Sequence, residues 1–296
     1  MTGVPPVLQS GTFTDSGSWR NFRLVHEPAQ GAPRGTVVFV HAFAEEMNKS
    51  RRMAARMARM LAGDGWRVVQ RDLCGCGDSS GEFVDARWTD WVRDVTEELA
   101  QALPQRPVWL WCHRAGALLA RAALDNRPDI ALLLWQPVLS GEQHLQQFLR
   151  LHAGARIVGS GKPRESATPI QQLRSGITVE VGGYQLHPEM ALELERARFD
   201  LPDGHAGRVV WLEVSIDEPP CLAPQSERFL SRLHERHLGV ETEAVNGLPF
   251  WQTLEIEDCD ALLDCTRARL AVSAASVVPV LRRDAQPDAC STDSSR

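Results

Sequence analysis

Trp109-Leu110-Trp111-Cys112-His113-Arg114-Ala115-Gly116 decides the fold of this chain. The apolar run Val108 to Trp111 reads as a buried strand, and Ala115-Gly116-Ala117-Leu118-Leu119-Ala120 reads as a helix. Only a sharp turn separates them. In a Gly-x-Ser-x-Gly nucleophile elbow, such a turn presents its central side chain at the C-terminal edge of a parallel sheet. The matching five residues here are Cys112-His113-Arg114-Ala115-Gly116, so the apex is Arg114. A guanidinium stays protonated and cannot attack a carbonyl. The turn has the outline of a nucleophilic site without a nucleophile at its tip.

Outward from the elbow, strand and helix signals alternate. Thr36 to His41 is a short apolar run of the kind that fills a central strand. Met47 to Ala62 has helical spacing, with Met53, Met57, Met60 and Leu61 on one face, and Gly63-Asp64-Gly65 stops it. Trp66 to Asp72 and Ile130 to Trp135 read as strands, Trp88 to Leu103 as a helix, and Gly11 to His26 as an antiparallel opening. After Gly141 the alternation breaks. It returns with a strand at Arg208 to Ser215, a helix near Pro224 to His237 and a strand at Val240 to Val245. This order predicts an α/β fold, a mostly parallel central sheet with helices on both faces. The core is expected at 10–141 and 207–275, a helical cap or lid insertion at 142–206, and a disordered polar tail at 282–296.

Composition narrows the function. With 43% hydrophobic and 24% charged residues among 296, there is ample material for one buried core. A net charge of −6 gives no general attraction to nucleic acid or anionic lipid. No apolar run reaches the roughly 18 to 20 residues of a membrane span, and no basic-then-apolar leader opens the sequence, so a cytoplasmic protein without membrane insertion is expected. Seven cysteines, an odd number, suit a reducing compartment. Cys74 and Cys76 stand too close for Cys-x-x-Cys redox or zinc spacing. Neither a metal nor a cofactor is expected.

The element order resembles the α/β-hydrolase superfamily. The resemblance is carried by His41-Ala42-Phe43, by Asp72-Leu73-Cys74-Gly75-Cys76-Gly77-Asp78-Ser79, similar to an Asp-x-x-Gly-x-Gly-x-Ser turn, and by the elbow. Three strings are similar to the second of the two hydrolase types associated with the bacterial exosortase A system. They are His41-Ala42-Phe43-Ala44-Glu45-Glu46-Met47-Asn48-Lys49-Ser50-Arg51-Arg52, Gly75-Cys76-Gly77-Asp78-Ser79-Ser80-Gly81 and Leu134-Trp135-Gln136-Pro137-Val138-Leu139-Ser140-Gly141. That resemblance implies a locus for PEP-CTERM protein sorting and exopolysaccharide production. It also implies an elbow of the form Gly-Leu-Arg-Leu-Gly, from which Cys112 and His113 depart.

Two triad positions lack triad chemistry. Asp217 stands where an acid follows the seventh core strand, but the loop after the eighth, Val245-Asn246-Gly247-Leu248-Pro249-Phe250-Trp251-Gln252, has no histidine. A general base must reach the nucleophile's proton by hydrogen bond, and Phe250 or Trp251 cannot. Three readings of Arg114 stay open. It pairs internally with Glu45, Glu46 or Asp217; or it holds an anionic ligand group, with Trp251 and Phe43 as an apolar wall. In the third, Cys112 or His113, with Asp217, supplies a non-standard catalytic set, and backbone N–H groups near Ala42 and Ala115 form an oxyanion hole. A cysteine beside Arg114 and a helix N-terminus would have a depressed pKa. Ser50 or Asn48 is the expected cap of the helix that opens with Asn48-Lys49-Ser50-Arg51-Arg52, whose basic residues call for acidic partners.

The sequence therefore predicts a ligand site of His41, Ala42, Phe43, Glu45, Glu46, Arg114, Ala115 and Trp251. The function expected is a hydrolase-family protein with a degenerate triad. It would bind an anionic or acyl small molecule, or act as a partner of proteins of the exosortase and exopolysaccharide locus. The alternative is an active esterase or thioesterase whose nucleophile is Cys112.

Overall fold

The computed structural model describes residues 6–104, 107–125, 127–158 and 167–271. An antiparallel hairpin opens the chain, β1 (Val7–Ser16) and β2 (Trp19–Pro28). Then strands and helices alternate: β3 (Thr36–Val40), α1 (Glu45–Gly63), β4 (Arg67–Arg71), α2 (Trp88–Ala102), β5 (Val108–His113), a 3₁₀ turn (Arg114–Gly116) running into α3 (Ala117–Ala123), and β6 (Ala131–Trp135). After an interruption come β9 (Val209–Ser215), α7 (Pro224–Glu235), β10 (Glu241–Asn246) and α8 (Asp260–Ala271). Eight strands form one sheet in the order β1-β2-β4-β3-β5-β6-β9-β10. From β4 to β10 every neighbouring pair is parallel; β2 joins β4 antiparallel.

Side chains on the central strands alternate between two apolar layers, as a period of two requires. Val37, Phe39, Trp109 and Trp111 meet Met53, Met57 and Leu61 of α1 and Leu262 and Leu263 of α8. Val38, Val40, Leu110 and Cys112 face Val95 and Leu99 of α2 and Leu118 and Leu119 of α3. Each fully buried Leu, Val or Phe contributes roughly 1.5–3 kcal/mol. Met47, Met53 and Met57 of α1 are core, and Met60 is partly buried against it.

Between β6 and β9 lie α4 (Gly141–Val158), α5 (Pro169–Arg174), a small antiparallel pair β7 (Val179–Val181) and β8 (Tyr184–Leu186), and α6 (Pro188–Arg196). Thr168 caps α5, accepting from Gln171 N with Pro169 at the first helical position. Gly141 lets α4 start against α6: a Cβ there would stand 1.8 Å from the Leu194 carbonyl oxygen. The expected tail at 282–296 lies outside the described residues. Among the described residues, no helix is long and apolar enough to cross a membrane.

The start of α1 departs from expectation. It begins at Glu45, its N-cap is Ala44, and no side chain caps it. Ser50 is instead inside the helix, donating to the Glu46 carbonyl four residues back at 2.6 Å. The basic cluster finds acids far along the chain: Arg51 pairs with Asp72, and Arg52 with Asp258.

Candidate functional site

Three non-glycine residues with positive φ mark one edge of the sheet. Ala44 (φ 50°), Arg114 (φ 52°) and Gln136 (φ 44°) each follow the C-terminal end of one of the adjacent strands β3, β5 and β6. Such conformations cost about 1–3 kcal/mol each and gather at functional sites. Arg114 thus has the strained backbone of an elbow apex. Gly116 permits the tight bend, since a Cβ there would lie 2.7 Å from the carbonyl oxygens of both Val40 and His41. The Arg114 carbonyl in turn accepts from Val138 N at 3.1 Å, fixing the chain that leaves β6 against the elbow.

At that apex the guanidinium closes on Glu46, in the first turn of α1. Arg114 Nε donates to both carboxylate oxygens at 3.3 Å and Nη2 to one at 3.0 Å. The two side chains are 12% and 17% exposed, so solvent screens the pair only weakly. Burial, the largest single influence, pushes the Glu46 carboxyl up, but the Arg114 charge and hydrogen bond, with His144 and His113, together outweigh it and hold the pKa below its ordinary value. Arg114 Cζ also stands 5.3 Å from the centroid of the Trp251 ring, a cation–π contact. Of the acids considered from sequence, Glu46 is the partner. Glu45 instead accepts from Tyr184 Oη and Asn48 Nδ2, and Asp217 accepts from Ser215 Oγ and Cys221 Sγ at an exposed position.

His113 is sealed under the apex, 1% exposed. Its ring stacks on Phe250 at 5.4 Å and meets Trp251 edge-on at 5.7 Å. His113 Nε2 is 3.0 Å from Ser50 Oγ, and because Ser50 gives its own proton to Glu46 O, the imidazole is the donor. Burial, then the Arg114 charge, lowers the His113 pKa to about 3. A neutral ring locked among aromatics does not meet solvent, and the one hydroxyl it touches, that of Ser50, already gives its proton to the backbone. Cys112 is fully buried in the α2/α3 layer, and burial pushes its thiol up, opposite to the depressed pKa expected for a thiol near Arg114. Among the described residues Asp217 bonds with neither His113 nor Cys112, so the three candidates are not brought together.

The remaining positions divide. His41 uses both nitrogens on backbone: Nδ1 donates to Ala42 O, and Nε2 accepts from Leu73 N. His41 and Ala42 line a different cavity of about 140 Å³, beside Met47, Arg51 and Asp72. Phe43 packs among Phe83, Trp91 and Phe148, without reaching Trp251 as one wall. Ala115 is buried at the bend. Ser79 and Ser80 accept from the backbone N–H groups of Phe22 and Arg20 and are structural.

Arg114 and Trp251 line a cavity of about 250 Å³ at the strand ends. Its further walls come from the segment 136–140 after β6, from α4 and from the first turn of α7. Sequence reasoning missed His144. This residue of α4 lines the cavity and is 5% exposed, and its Nε2 has no hydrogen-bond partner among the described residues. Burial lowers its pKa to about 4, against the opposing pull of Glu46. The available signal was Gln143, His144 and Gln147, whose spacing places three polar side chains on neighbouring positions of one helix. Among the described residues, no group of three or more His, Cys, Asp or Glu side chains converges as a metal site.

Comparison with known proteins gives the fold a name. The sequence model of the serine aminopeptidase S33 family matches residues 31–172. No curated protein matches the chain in sequence. Among solved structures, Est1E of Butyrivibrio proteoclasticus, bound to ferulic acid, is 13% identical with a TM-score of 0.61, covering 88% of this chain and 98% of its own. A soluble variant of the monoglyceride lipase of Saccharomyces cerevisiae is 12% identical at 0.60, covering 90% and 96%. A thermostable carboxyl esterase of Bacillus coagulans, bound to glycerol, is 12% identical at 0.58, covering 90% and 98%.

Proposed function

We propose that this chain, which has the α/β-hydrolase fold, binds a small molecule in the cavity above Arg114 and does not cleave it through a covalent intermediate. The observation that carries this reading is the Arg114–Glu46 pair. It occupies the elbow apex, where an attacking oxygen or sulfur would have to stand, and it ties the elbow to the start of α1. An oxyanion needs donors about 2.7–3.1 Å away in a preorganised gap between those two elements. Here a carboxylate sits beside that gap and would repel a developing negative charge.

The same pair weighs against an anionic ligand. Nε and Nη2 of Arg114 already serve Glu46, so an incoming carboxylate or phosphate would have to displace a partly buried ion pair. The resemblance of residues 41–52, 75–81 and 134–141 to the exosortase A-associated hydrolases supports a binding partner's role in such a locus.

The test is chemical. Purified protein is incubated with p-nitrophenyl acetate and butyrate, and separately with a fluorophosphonate and with iodoacetamide. We expect no ester turnover above buffer, no fluorophosphonate adduct, and alkylation at exposed Cys221 while buried Cys112 stays unmodified. Turnover that disappears in Cys112→Ala, or a stoichiometric adduct on a cavity residue, would overturn the proposal.

A further inference from the structure

The cavity wall has an unusual composition. Among the described residues Arg114 is the only charged one lining it, and its charge is matched by Glu46. Around it stand side-chain amides: Gln143 and Gln147 from α4, Gln225 from α7 and Gln252 from the loop after β10. All four are exposed, and their amides make no hydrogen bond among the described residues. Beneath this rim two buried groups of lining residues also lack partners, His144 Nε2 and Trp251 Nε1. A buried polar group without a partner costs about 1–3 kcal/mol, so native structures rarely leave one unmet unless something else supplies the bond.

From these observations, and resting on the binding role proposed above, we propose that the cavity takes a neutral, hydroxyl-rich small molecule of about monosaccharide size. Each glutamine offers two N–H donors and a carbonyl acceptor at one end. A hydroxyl both donates and accepts, so neighbouring hydroxyls engage both halves of one amide. An acyl chain would leave the same amides unsatisfied as it covered them. An anion would find its single cation already taken. His144, held neutral by its surroundings, adds a hydrogen-bonding group at the floor without adding charge. The volume, about 250 Å³, falls below the roughly 300–1,000 Å³ typical of sites for drug-sized ligands.

Saturation-transfer NMR on the full chain tests this with six probes: glycerol, glucose and N-acetylglucosamine as neutral polyols, and acetate, methylphosphonate and octanoate as the contrasting set. We expect transfer to at least one polyol and to none of the contrasting three. The double variant Gln143→Leu/Gln147→Leu, at exposed positions that do not build the core, should abolish it. His144→Phe should weaken it by about tenfold, the effect of losing one hydrogen bond. Transfer to methylphosphonate, acetate or octanoate with none to the polyols overturns the ligand class while leaving a binding cavity in place. Transfer to none of the six also overturns it, as does polyol transfer that persists in the double variant, which would be adventitious binding only. Failure of the underlying role is read separately, as ester turnover or covalent labelling.

Discussion

Arg114 and Glu46 neutralise each other in a place where solvent screens either charge only weakly. Arg114→Ala should lower stability by about 2 kcal/mol in urea unfolding, less than the 3–5 kcal/mol of a fully buried pair because both side chains keep some exposure. Adding Glu46→Ala should restore part of the loss, since the stranded carboxylate is then gone; simple additivity of the two would show no coupling. A second prediction concerns chemistry. Arg114→Ser places a hydroxyl at the apex, but no histidine comes from the β10 loop, which presents Phe250 and Trp251; His113 lies beneath, bonded to Ser50, and His144, in the wall of the same cavity, is a weak base with its pKa lowered to about 4 by burial. The variant should hydrolyse p-nitrophenyl butyrate no faster than the parent, and a serine-dependent burst would show that a base is within reach. At this scale the apex was legible from five residues, because an elbow is a local pattern. Which acid met Arg114 was not, because Glu45 and Glu46 are neighbours whose directions are set by the helix start at Ala44. His144 was hidden for another reason: nothing in the pattern around it ties α4 to the elbow.

The elements followed from periodicity wherever they fill the sheet, since strands buried on both faces must be continuously apolar and their helices amphipathic. β3, β5 and β6 were readable for that reason. The interrupted region was not, because α5, β7, β8 and α6 are short, and α4, α5, β7 and α6 pack chiefly on one another and on α2. Ser50 misled because its type suits a cap, whereas its hydroxyl satisfies a carbonyl inside α1 and receives His113. The elbow itself is a contact between elements, and Gly116 measures how close. Gly116→Ala forces a methyl against two carbonyl oxygens of the β3 end. The expected cost is about 1–3 kcal/mol, seen as a lower urea midpoint with an unchanged slope. An unchanged midpoint would mean that the elbow and β3 separate easily.

Over the whole molecule, acid should act through buried histidines before it acts on most carboxylates. His113 and His144 have folded pKa values lowered to about 3 and about 4, and His41 is lowered as well, each first by burial. Between about pH 6.5 and 4 the unfolded chain takes up protons that the folded chain refuses. Stability is therefore complete above pH 6.5 and falls as pH drops toward 4, by up to about 1.4 kcal/mol per pH unit for each such histidine. Glu46, lowered below 4.5, adds its loss only beneath that. Melting temperatures from pH 7.5 to 4.5 should decline, and His144→Gln should decline less steeply. A flat profile would mean that these rings protonate in place. The number and order of core strands were visible in sequence, whereas this acid sensitivity was not, because it depends on which polar rings the finished packing encloses.

Converting this pocket to nucleophilic catalysis has no single-step route. Replacing Arg114 first strands Glu46 under the neutral His144, and replacing Glu46 first leaves a lone cation on a strained backbone beside Trp251. Each intermediate is less stable than either end. Mutational drift would therefore tend to keep or lose the two residues together, and a library that varies Arg114 alone would recover mostly chains of lowered stability.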